Sequence, residues 1–204
     1  MHPNPSFRSE TENQNLAFAR ERGFGSLSVN ASNGPLVAHI PFVISPDATF
    51  LELHLVRSNP ILKLLDEPMA AVLAVIGGDG YISPDWYGVE DQVPTWNYIA
   101  VHIRGTLTRL DANELHPLLS RLSDNMESRL SPKKRWTSDK MDQGVYERMQ
   151  RQIVPLKMNI ESIEGTWKLS QNKSDEARLS AADALAENGF GIEIAALARL
   201  MRNV

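Results

Sequence analysis

The chain has 204 residues, 42% hydrophobic and 23% charged, with a net charge of −4. That is enough for one sizeable core, or a core with an appendage, in a soluble globular protein. No apolar run reaches a membrane-spanning length, the opening residues do not read as a signal peptide, and the charge argues against a broad electrostatic grip on nucleic acid. The absence of cysteine excludes disulfides, thiolate metal sites and a cysteine nucleophile, and fits a cytoplasmic protein.

In chain order, Met1–Ser6 reads as a Pro-rich arm and Glu12–Arg22 as a helix, with Leu16 and Phe18 inward and Gly23 ending it. Phe24–Asn30 alternates apolar and small polar residues, as a strand does. Asn33-Gly34 predicts a tight hairpin turn, since both residues tolerate positive φ. Pro35–Ser45 alternates again: Leu36, Ala38, Ile40, Phe42 and Ile44 form the core face. His39 then faces outward, toward solvent, a partner or a ligand.

Thr49–Val56 is a third strand and carries His54 opposite its leucines. It runs into Arg57-Ser58-Asn59-Pro60, where Asn59 suits an N-cap and Pro60 a first helical position. A helix N-terminus beside an Arg and a Ser offers an anion a seat. The same residues also make an ordinary capped helix with a surface arginine, which is the commoner outcome. Ala70–Ile76 is an unbroken apolar run, expected to be a strand buried on both faces, and Gly77–Gly80 is expected to turn the chain.

The segment Gly80–Tyr98 holds five of the fourteen aromatic residues, Tyr81, Trp86, Tyr87, Trp96 and Tyr98, interrupted by Pro84, Gly88 and Pro94. Such a loop either buries its rings in the fold or presents them to a partner or ligand. A long strand, Trp96–Leu110, follows. Ile99, Val101, Ile103 and Leu107 form one face; Trp96, Tyr98, His102 and Arg104 form the other, which suits an interface or a ligand.

Asp111–Glu114 reads as a capping box before an amphipathic helix through Leu122, and Ser131–Asp142 as a loop with a small basic cluster. A helix over Gln143–Ile153, ended by Pro155, precedes a last strand region, Leu156–Leu169. Ser174 caps a further helix, Gly189 and Gly191 break it, and Ile192–Met201 is another. Six or seven strands in consecutive hairpins, with helices grouped between and after them, predict an α+β fold: an antiparallel barrel-like sheet with peripheral helices.

No G-x-S-x-G elbow, G-x-G-x-x-G or P-loop is present. His39, His54 and His102 lack close spacing or a carboxylate partner, so no metal is assigned. The remaining constellation is a phosphate seat at Arg57–Asn59, aromatic faces at Trp86 and Trp96, and polar edges from His39, His102, Asn97 and Gln171. A planar, phosphorylated ligand matches it.

Five blocks carry a resemblance: M-H-P-N-P-S-F at the start, H-L-V-R-S-N-P at 54–60, Y-I-S-P-D-W-Y at 81–87, V-P-T-W-N-Y at 93–98 and W-K-L-S-Q-N at 167–172. Collinear from Met1 to Asn172, they resemble the PaiB family of FMN-binding split-barrel proteins, also called negative transcriptional regulators. The resemblance implies a six-stranded antiparallel split β-barrel over residues 1–172, with inserted helices, and a helical extension over 173–204 packed on the barrel or the dimer mate. It implies a homodimer with FMN in the crevices between subunits. Arg57, Ser58, Asn59 and Lys63 would hold the phosphate, and His39 and His54 would line the crevice. Trp96 and Asn97 would approach the ring, with Lys168 and Gln171 closing the site. Two functions follow from it: a regulator of transcription, or an FMN-dependent oxidoreductase fed by NAD(P)H without direct DNA binding. A heme-binding role ranks third. For DNA, Ile192–Met201 is too apolar for a recognition helix.

Overall fold

The computed structural model describes residues 1–204. Seven strands form one sheet: β1 (Phe24–Val29), β2 (Leu36–Ile44), β3 (Phe50–Val56), β4 (Met69–Ile82), β5 (Thr95–Arg109), β6 (Ile153–Lys168) and the short β7 (Gly191–Ile192). Their order is β1-β2-β3-β6-β5-β4-β7, and an added β1–β4 pairing closes the first six into a ring. The pairings β1–β2, β1–β4, β2–β3 and β3–β6 are antiparallel. This is the α+β split barrel the sequence predicts. Five helices accompany it: α1 (Glu12–Arg22), α2 (Leu115–Glu127), α3 (Gln143–Gln150), α4 (Asp175–Asn188) and α5 (Ile194–Arg202).

The chain divides into two compact units. One comprises 1–18, 75–102 and 164–204; the other comprises 19–74 and 103–163. In the second unit the period-2 pattern of β2 holds as expected, with Ala38, Ile40, Phe42 and Ile44 buried and His39 exposed. Leu51, Leu53 and Leu55 bury the matching face of β3. Between them Glu52 is also buried, and its carboxylate accepts two bonds from the Arg121 guanidinium at 2.6 and 2.7 Å. A bidentate fork of this kind satisfies a carboxylate in a strand that would otherwise bear an unpaired charge.

The first unit is built on a cluster of Ile82, Tyr87, Ile99 and Leu169 with Ala181, Leu185, Leu197 and Met201 from α4 and α5. Ser174 caps α4, its Oγ accepting from Ala177 N. The C-terminal helices therefore bury their apolar faces within this unit.

Several local expectations are corrected. Gly77–Gly80 does not turn the chain but continues β4. A Cβ on Gly77 would lie 2.8 Å from Phe18 Cζ, and one on Gly80 would lie 2.9 Å from Leu185 Cδ1, so these glycines admit close neighbours. Ala70–Ile76 is not buried on both faces: burial alternates along β4, and Ile76 is exposed. Only Gly34, not Asn33, has positive φ, and the turn closes by Gly34 N donating to Ala31 O at 3.2 Å. Asp111–Glu114 forms a 3-10 turn without the side-chain cap; α2 begins at Leu115 and admits Pro117 in its first turn, where no N–H is needed. Pro155 lies inside β6 opposite His54 rather than at a helix end, and α3 stops at Gln150. The last helix starts at Ile194, because Gly191 and Ile192 pair with Gly80 and Asp79 as β7.

Candidate functional site

Six predicted site residues, His39, His54, Arg57, Ser58, Asn59 and Lys63, belong to the second unit. The other four, Trp96, Asn97, Lys168 and Gln171, belong to the first.

At the end of β3 the chain reverses into a 3-10 turn, Pro60–Lys63, rather than the longer helix expected. The predicted cap is there: Asn59 Oδ1 accepts from Ile61 N at 3.0 Å, and Pro60 opens the turn. Ile61, Leu62 and Leu65 are buried and pin it down. A four-residue turn has little macrodipole, so the anion affinity of this corner rests on side chains. Arg57, Ser58 and Lys63 are all exposed there. The Arg57 guanidinium is oriented by the backbone: Nε donates to Arg151 O at 2.9 Å and Nη2 to Ile153 O at 3.3 Å. Beside it opens a cleft of about 570 Å³, lined by Arg57, Arg109, His116, Glu147 and Gln150 among others.

His39 pairs with Ser26 across β1 and β2, its Nδ1 lying 2.9 Å from Ser26 Oγ. His54 is half-buried with Nδ1 unpartnered, and burial lowers its pKa below the ordinary value. No three His, Asp or Glu side chains converge as metal ligands.

In the first unit the aromatic segment splits. Tyr87 is buried, and Trp86 packs against the same cluster, so these two pin the loop to its own core. Trp96 behaves differently: it is 45% exposed and meets Tyr81 edge-on at 6.3 Å between centroids. Phe190, 60% exposed, stacks on Tyr81 at 5.4 Å and meets Trp96 edge-on at 5.7 Å. Tyr81 N donates to Phe190 O at 3.3 Å, which holds the third ring in place. Sequence reasoning missed Phe190, because it lies 109 and 94 residues from its two ring partners and has no local motif.

The polar residues predicted beside the ring are engaged elsewhere. Asn97 is fully buried and donates Nδ2 to Ser170 Oγ at 2.8 Å. Gln171 closes its own turn, accepting from Leu169 N at 2.8 Å and donating to Trp167 O at 2.6 Å. Lys168 donates to Thr95 Oγ1, and burial, aided by the charge of Lys173, lowers its pKa.

A family model described as "Putative FMN-binding domain" matches residues 1–162. The chain is 30% identical over 160 residues to protease synthase and sporulation protein PAI 2 of Bacillus subtilis, covering 78% of this chain and 76% of the relative. Among solved structures, the FAD and heme binding protein of Mycobacterium smegmatis is similar at a TM-score of 0.59 and 15% identity, covering 91% of this chain and 82% of that one. The flavocytochrome Anf3 of Azotobacter vinelandii is similar at 0.58 and 10%, covering 94% and 80%. At these identities the structural likeness speaks to fold alone.

Proposed function

The chain belongs to the family of FMN-binding domains and is a flavin-binding protein, and from that premise we propose that it holds FMN in the seam of a homodimer. The observation that carries this reading is the family match, which spans the Arg57–Lys63 corner and the Trp96 strand in one continuous alignment. The residues at hand fit the group. Arg57, Ser58 and Lys63 offer exposed donors to a phosphate. The exposed face of Trp96, flanked by Tyr81 and Phe190, suits a flat heteroaromatic ring. Gln171 spends its amide on its own turn, while Asn97 donates Nδ2 to Ser170 and keeps a buried Oδ1 without a partner. Large apolar side chains exposed on strands, Phe24, Val37 and Val56 in one unit and Ile76 in the other, supply surface for a second copy.

Bound flavin supplies hydride and electron transfer at its ring, while the protein binds, orients and excludes water. Within that division of labour, Arg57 fixes the phosphate end, Trp96 supports the ring, and His54, held neutral by burial, gives an uncharged edge. We favour an FMN-dependent oxidoreductase taking electrons from NAD(P)H over a direct reader of DNA. In the C-terminal helix α5, Leu197, Ala198 and Met201 are buried in the core, and the exposed side carries Ala195, Ala196, Arg199 and an Arg202 already paired with Asp183, a poor set for reading base edges. A regulatory role in the manner of the PaiB name then runs through flavin or redox state.

The test is an absorbance spectrum of the protein as purified, followed by anaerobic NAD(P)H titration and sedimentation of the flavin-loaded form. Flavin bands that bleach with NAD(P)H, on a species of twice the chain mass, are expected. Colourless protein with no FMN affinity, or a monomer that binds FMN fully, overturns the reading. A specific gel shift at near-physiological salt would favour the regulator instead.

A further inference from the structure

The loop between α4 and α5 holds a large apolar ring out in solvent. Leu185, Leu197 and Met201 of these helices are fully buried, yet Phe190 between them is 60% exposed. The ring is not loosely held. Phe190 O accepts from Tyr81 N at 3.3 Å, and Ile192 N donates to Asp79 Oδ1 at 3.3 Å, so the loop is bonded to β4 at two points. The flanking glycines serve close approach. A Cβ on Gly189 would lie 2.4 Å from Leu185 O, and one on Gly191, at φ +149°, would lie 2.1 Å from Asp79 O. The loop is therefore pressed against α4 and β4 and presents Phe190 in a fixed place.

Phe190 lies 14° from parallel with Tyr81, while Trp96 stands at 74° to Tyr81 and 85° to Phe190. Tyr81 and Phe190 thus form a wall at nearly a right angle to the Trp96 ring. A planar ring laid on the exposed face of Trp96 is perpendicular to that wall, the edge-to-face arrangement that aromatic pairs favour. Single apolar side chains on a surface are ordinary, but converging exposed rings mark a binding surface.

We propose that Phe190 is a ring-contacting residue of the flavin site and that, through it, the α4–α5 hairpin is coupled to flavin binding. This rests on the placement of the flavin ring on Trp96. The hairpin lies past residues 1–162, the span of the family match, so its contribution belongs to this chain's own C-terminal helices rather than to the matched domain. The coupling is reciprocal: whatever the hairpin adds to flavin affinity, bound flavin adds to the hairpin's resistance to local opening.

The experiment compares wild type, Phe190→Ala, Phe190→Leu and Phe190→Tyr by fluorescence titration with FMN and riboflavin, by amide hydrogen exchange, and by thermal unfolding without ligand. Phe190→Ala keeps the backbone bond to Tyr81 and removes a mostly exposed side chain, so the ligand-free midpoint should hardly move. Its affinities for FMN and riboflavin should fall alike, by about 2- to 10-fold, the worth of one edge-to-face pair. Phe190→Leu, apolar but without a ring, should lose as much, and Phe190→Tyr should bind as wild type does. FMN should slow exchange across 189–202 in wild type and do so less in Phe190→Ala. Full affinity in Phe190→Leu, or a loss confined to FMN, overturns the proposal while leaving flavin binding intact. Exchange across 189–202 that FMN slows equally in wild type and Phe190→Ala overturns the coupling. Should wild type bind neither flavin, the functional reading fails and this proposal with it.

Discussion

Asn97 donates its Nδ2 to Ser170 Oγ at 2.8 Å, and the Tyr87 hydroxyl reaches the same oxygen at 3.0 Å. Ser170 is held at φ +63°, in the left-handed region that few side chains adopt without support. This small network ties the start of β5, the aromatic loop and the end of β6 together under one buried hydroxyl. Burial raises the Tyr87 pKa, with the bond to Ser170 opposing the shift.

Asn97→Leu should therefore act on stability. Leaving the Ser170 hydroxyl one partner short in a dry environment is expected to cost about 1–3 kcal/mol, read from urea unfolding. Flavin affinity in the folded variant should change only a few-fold. A variant of wild-type stability that loses flavin would return Asn97 to the ring itself.

Arg57→Ala should weaken FMN about 10- to 100-fold and riboflavin little, because the lost charge-assisted bonds go to phosphate. Arg57→Lys should recover only part of this, since an ammonium cannot make the two backbone bonds of the fork and remain oriented. Equal losses for both flavins, measured by titration, would move the phosphate elsewhere.

Gly105 tests the barrel. A Cβ there would lie 1.8 Å from the carbonyl oxygen of Asn159, so backbone rather than a flexible side chain must yield. Gly105→Ala is expected to destabilise by about 3 kcal/mol or more, and to reduce soluble yield. Gly144→Ala in the first turn of α3, where a Cβ meets nothing closer than 3.4 Å, should be neutral or stabilise by up to about 1 kcal/mol. Denaturation midpoints of the two variants should separate in opposite directions.

The buried imidazole of His54 makes stability depend on pH. Its folded pKa is depressed by burial, so the unfolded chain takes up a proton first as pH falls. The unfolded state then binds more protons, and stability declines below about pH 6.5, the ordinary histidine value, until the folded pKa is passed. His54→Gln should flatten that part of the pH–stability curve. An unaltered curve would mean that another group sets it.

The alternating strands, the helix boundaries of α1 and the cap at Asn59 were all legible along the chain, because each depends on residues within a few positions of one another. Gly77–Gly80 was not: a glycine that makes a turn and one that admits a neighbour are identical in sequence, and only Phe18 and Leu185 packing close by distinguish them. That Asn97 is buried and bonded to Ser170 was not legible for a related reason, since alternation along β5 says which face a residue takes but not what is buried under it.

By itself, the order of residues determined the class of fold, the family and the flavin, because period-2 strands and five collinear blocks survive without knowledge of any long-range contact. Only the folded chain decided which aromatic rings stay exposed and that Phe190 joins Tyr81 and Trp96. Those facts depend on residues brought together across some 90 positions or more, where nothing in local patterning constrains which side chain meets which.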